Sequence, residues 1–113
     1  MRLSAVASTL AASLMLASTA FAADKVKIGF VSTLSGPGAG LGVDIRDGFN
    51  LAVKHLNGKI GNLPAEVLIA DDQQKPDVAK GETEKFLKKD KVDFMTGIVF
   101  SNIMLAVGPQ VFE

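Results

Sequence analysis

The chain is 113 residues long, and 48% of them are hydrophobic, enough for about one small domain. Its 12 basic and 12 acidic side chains balance, which argues against nucleic acid or an anionic membrane surface as partner. Cysteine is absent, so disulfides are excluded, as is the acylated cysteine that a lipoprotein would need.

Residues 1–22 read as a secretory signal peptide. Arg2 gives a positive start, Ala5 to Ala17 is short and apolar, and Ala20-Phe21-Ala22 places small residues at both positions of a cleavage site. The run is too short and too diluted with Ser and Thr to span a membrane. Cleavage after Ala22 predicts a soluble exported protein.

The mature chain opens with Val26, Ile28, Phe30 and Val31, a strand expected to be buried on both faces. Ser35-Gly36-Pro37-Gly38 forces a turn. Ile45, Phe49, Ala52, Val53 and Leu56 then recur at helical spacing, giving strand, glycine-rich turn and helix, the first half of a right-handed βαβ unit. Asn57 to Pro64 reads as a surface connection with Gly58 ending the helix. Ala65 to Ala70 is the second strand, closed by Asp71-Asp72. Pro76 and Asp77 start a second helix over about Val78 to Lys89, with Glu84 and Lys88 paired across one turn. Val92 to Val99 is the third strand, and Ile103 to Val107 an apolar helix that Pro109 restricts. Strands alternating with helices call for a Rossmann-like three-layer α/β/α fold with a parallel sheet.

Enzyme motifs fail one by one. Gly36, Gly38, Gly40 and Gly42 miss the dinucleotide fingerprint because Leu41 and Val43 stand where its third glycine would fall, and no Gly-Lys-Ser/Thr exists. Asp71 and Asp72 point to opposite sides at a strand end, so a role in holding the turn is preferred to metal binding or catalysis. His55 has no partner in sequence and reads as a residue of a helix end. No catalytic residue, metal ligand or cofactor site is expected.

Ser101 sits between a strand and a helix start, where free N–H groups favour an anion. Its hydroxyl could add a donor to a bound carboxylate or simply cap the helix, and the two readings stay open at this point.

Taken together, these pieces resemble the periplasmic solute-binding proteins of ABC importers, in the branched-chain amino acid (Leu/Ile/Val-binding) family with the type I fold. The resemblance is carried by the signal peptide, the run Lys27 to Pro37, the helix Gly48 to Val53, Asp71-Asp72 with Pro76 downstream, and Asp93 to Gly97. It implies two Rossmann-like lobes around a ligand cleft, residues 23–113 being an incomplete N-terminal lobe that would not fold to a stable monomer alone. It further implies a periplasmic, non-enzymatic protein, monomeric at full length, that captures a small carboxylate for an ABC permease in the inner membrane. A ligand-sensing receptor domain of the same fold is the alternative.

The family's cleft-lining loops carry over to Ser35, Gly36 and Leu41 after the first strand, and to Phe100, Ser101 and Asn102 after the third. Ser101 matches the serine that holds the ligand carboxylate. Asn102-Ile103-Met104 stand where amino acid binders have Ser and Thr, and Leu41 where they have an aromatic. With Phe100 beside the anion site, the pattern is more similar to the aromatic-acid members.

Overall fold

The computed structural model describes residues 23–113, so the expected signal peptide at 1–22 lies outside the described residues. The elements run β1 (Val26–Ser32), α1 (Ala39–His55), β2 (Lys59–Ile60), β3 (Leu63–Asp71), α2 (Pro76–Lys85), a π-turn (Phe86–Asp90), β4 (Phe94–Thr96) and α3 (Ser101–Phe112). They build one sheet in the order β2-β3-β1-β4.

β1 pairs in parallel with β3 on one side, Val26 opposite Ala65 through Ser32 opposite Asp71, and with β4 on the other, Ile28 opposite Phe94. A strand with neighbours on both edges and helices on both faces is buried along its length, and Ile28 through Thr33 are all buried, with Ser32 and Thr33 the polar residues at its end. Phe30 meets Phe49 of α1, their rings 5.3 Å apart and tilted by 43°. On the opposite face Val31 and Ala70 pack with Ala79 and Phe86 of the second helical segment and Ile103 and Val107 of α3. The chain therefore passes from β1 to β3 on one side, then back across to β4 on the other, which makes β1 the switch point of the sheet.

Three expectations are corrected in detail. The connection after α1 is not all loop, because Lys59–Ile60 folds back on Leu63 and Pro64 as an antiparallel hairpin. Gly61 and Asn62 take φ 58° and 64°, the positive pair a tight two-residue hairpin needs. The third strand spans only Phe94–Thr96, since Gly97 at φ 100° turns out of the extended region. α3 runs past Pro109 to Phe112; the proline forfeits the backbone bond to Leu105 and its ring crowds that carbonyl, at two residues that are both exposed.

The expected stripe of α1 holds in part. Phe49 meets Phe30 of the sheet and Val53 is half-buried, but Ala52 is exposed, Ile45 and Leu56 are 44% and 55% exposed, and the buried residue of the helix is Gly42. Gly42 sets how the helix lies. A Cβ there would stand 1.9 Å from the Thr33 carbonyl oxygen, so the helix backbone itself rests on the end of β1 and the residue after it.

Candidate functional site

The loops β1–α1, β3–α2 and β4–α3 all leave the carboxyl ends of parallel strands, at the edge where open α/β sheets bind ligands. What joins the first two is the aspartate pair. Asp71 Oδ1 accepts hydrogen bonds from the backbone N–H of Leu34 at 2.9 Å and of Gln73 at 2.8 Å. Asp72 Oδ1 accepts from the Thr33 hydroxyl at 2.6 Å and the Gln74 N–H at 2.7 Å. The expected turn-holding role is thus what these residues do, each clamping one loop to the other.

The clamp has an energetic purpose. Gln73 and Gln74 both sit in the left-handed region, at φ 53° and 58°, which costs about 1–2 kcal/mol for a residue with a side chain. Charge-assisted bonds to the two carboxylates offset that cost. Burial pushes the Asp71 carboxyl up, but the Ser35 hydroxyl and the N–H groups of Gln73, Leu34 and Ser35 outweigh it and hold the group below its ordinary range. Asp72 is fully buried, and its Oδ2 has no partner among the described residues.

The third loop joins at Gly38. A Cβ on Gly38 would fall 2.7 Å from Cε2 and Cζ of Phe100 and 3.1 Å from Oε1 of Gln74, so residues of all three loops meet at this one glycine. Phe100 is half-buried, and its side chain also packs on the core cluster.

Phe100, and not Ser101, is the N-cap of α3, with extended backbone at φ −103° and ψ 140° and no side-chain cap bond. The reading of Ser101 as a cap is therefore corrected. The Phe100 carbonyl receives the N–H groups of Ile103 and Met104, both at 3.1 Å, which leaves those of Ser101 and Asn102 without an intrahelical acceptor. Both residues are exposed. Of the other expected residues, Ser35 and Gly36 are exposed on the first loop, Gly36 turning the chain at φ 82°, and Leu41 stands 57% exposed on the first turn of α1. Gln74 and Gly38 were missed. The polar run that follows the second strand, Asp71 to Gln74, was the signal for the one, and the other had none beyond being a glycine.

A separate groove of about 240 Å³ lies between β4 and α3, lined by Met95, Ile98, Met104, Val107 and Phe112 among others. It holds none of the loop residues above and, with Thr96 as its one hydroxyl, is poorly suited to a charged ligand.

Comparison with known proteins decides the family. The family model described as periplasmic binding protein matches residues 25–113. The chain belongs to the periplasmic binding protein family. A Leu/Ile/Val-binding protein from Rhizobium johnstonii is 32% identical over 115 residues, covering 100% of this chain and 30% of that protein. Among solved structures, a solute-binding protein of an ABC transporter from Rhodopseudomonas palustris, in complex with 3,4-dihydroxybenzoic acid, is 26% identical with a TM-score of 0.75, over 79% of this chain and 24% of that one. A branched-chain amino acid transporter substrate-binding protein from Streptococcus pneumoniae, in complex with isoleucine, is 28% identical with a TM-score of 0.74, over 78% of this chain and 26% of that one. This periplasmic binding protein chain thus spans about three tenths of the length of the curated relative and about a quarter of the solved ones.

Proposed function

We propose that this chain supplies cleft-lining loops of a solute-binding protein, one that captures a small carboxylate, an aromatic acid or a branched-chain amino acid, in the periplasm and presents it to the permease of an ABC importer. In this reading residues 1–22 direct export and residues 23–113 are part of the N-terminal lobe. The observation that carries it is the start of α3, where the exposed Ser101 and the free N–H groups of Ser101 and Asn102 follow directly on Phe100. A helix N-terminus carries roughly half a positive charge, so an anion is favoured there. The neighbouring ring suits an apolar body attached to that anion. The named ligands of the two solved relatives, 3,4-dihydroxybenzoic acid and isoleucine, both combine a carboxylate with such a body. Capture and release require no bond to be made or broken.

The test is calorimetric titration of the protein expressed from its complete reading frame against benzoate, 3,4-dihydroxybenzoate, leucine and isoleucine. At least one should bind. Ser101→Ala should then weaken that binding by roughly 1.5–3 kcal/mol, about ten- to hundred-fold in Kd, with little change in melting temperature. Unchanged affinity in the variant, or no binding of any acid by the wild type, refutes the proposal.

A further inference from the structure

We infer that Gly38 is a specificity-determining position: its missing side chain lets the Phe100 ring lie against the β1–α1 loop, and the ring so fixed selects a flat aromatic acid over a branched aliphatic one. This rests on the carboxylate reading of the cleft given above.

The backbone does not require glycine at 38. Its φ of −87° and ψ of 2° are open to residues with side chains. Space requires it. A single added carbon would lie 2.7 Å from two atoms of the Phe100 ring, well inside van der Waals contact. The ring cannot withdraw, because it also packs on the cluster of Val31, Ala70, Ala79, Phe86, Ile103 and Val107, and a close-packed core has no room to receive it. The Gln74 side-chain oxygen, 3.1 Å from the added carbon, can swing aside, so the contact that counts is the one with the ring. Any side chain at 38 therefore re-tilts the ring.

Ring tilt matters unequally to the two ligand classes. An aromatic partner depends on offset or edge-to-face geometry, because the charge distribution of a ring differs between its face and its edge. A branched aliphatic body gains from contact area alone, which is indifferent to direction. A change of tilt should thus penalise aromatic acids selectively.

The protein expressed from its complete reading frame is titrated with benzoate and with isoleucine, as wild type, Gly38→Ala, Gly40→Ala, Phe100→Leu and Gly38→Ala/Phe100→Leu. Gly38→Ala should raise the Kd for benzoate on the order of tenfold, by the overpacking penalty of a displaced ring, and change that for isoleucine far less. Gly40→Ala, whose added carbon meets nothing within 4 Å, should change neither. In the Phe100→Leu background the Gly38 substitution should have no further effect on benzoate, since the ring through which it acts is gone. The paired variant also covers the case in which Gly38→Ala folds poorly, because it relieves the clash. Equal losses for both ligands, no loss, or a loss that persists without the ring overturns the inference while the carboxylate reading stands. A wild type that binds isoleucine and ignores benzoate does the same. A wild type that binds neither overturns the inference, and one that binds none of the four acids named above overturns the carboxylate reading as well.

Discussion

Replacing Gly42 by alanine should destabilise the protein, although alanine is the better helix former. Position 42 lies inside α1, where propensity alone favours alanine by about 0.8–1.0 kcal/mol. Against that, the new Cβ would stand 1.9 Å from the Thr33 carbonyl oxygen and 2.6 Å from its carbon, where real contacts essentially never fall below 3.0 Å. The atoms met belong to the backbone of the buried residue that follows the central strand, so the helix must lift by about 1 Å. A gap of that size forfeits a quarter to a half of each dispersion contact beneath it, and overpacking of this kind costs typically 1–3 kcal/mol. The net expectation is a loss of up to about 2 kcal/mol against wild type, and of about 1–3 kcal/mol against a helix glycine replaced where there is room, read from urea unfolding of the complete protein. Gly40→Ala and Gly48→Ala are controls in the same helix: both positions are open, so each should gain about 0.5–1 kcal/mol. A Gly42→Ala variant as stable as Gly48→Ala would refute the close approach of α1 to β1.

Thr33→Val keeps the shape of a fully buried side chain but removes one of the two donors that Asp72 Oδ1 accepts, and should cost about 1.5–3 kcal/mol in the same unfolding experiment. Asp71 gives a pH signature. Its folded carboxyl titrates below its ordinary value of 3.8, so its stabilising contribution is complete above that value and is lost as pH falls through the lower folded one. The stability difference between wild type and Asp71→Asn should accordingly be constant from neutral pH down to about pH 5 and shrink below that. A difference that grew on acidification would show the carboxyl to be raised instead.

Much of this architecture was legible because it depends on neighbours in sequence. β1 announced itself as central by being apolar on both faces, and Ile28 through Thr33 are buried as that pattern requires. Glu84 and Lys88, one turn apart, do pair, at 2.6 Å. Pro76 stands at the start of α2 with Asp77 in its first turn. The β2–β3 hairpin escaped because its first strand is only Lys59–Ile60, too short to show a pattern, and β4 read too long because Gly97, at φ 100°, turns the chain out of the sheet while β-formers continue past it.

What could not be read is what depends on tertiary approach. The periodicity of α1 placed Phe49 and Val53 correctly but also pointed to Ile45 and Leu56, because a glycine, invisible to any hydrophobic pattern, sets how the helix lies. The same holds at the site. Asp71 and Asp72 were rightly assigned to the turn, but only the fold reveals that Thr33 and Leu34, almost forty residues earlier, are among their partners. Those bonds hold Gln73 and Gln74 in a conformation the chain avoids on its own, and strain kept at the ligand-facing edge of a sheet is a reason to look for function there. The loops after β1 and β3 are thereby fixed to each other, and Gly38 brings both to Phe100 at the head of α3. A carboxylate arriving at Ser101 would meet a wall already in place, so little ordering entropy would be lost on binding at this side of the cleft.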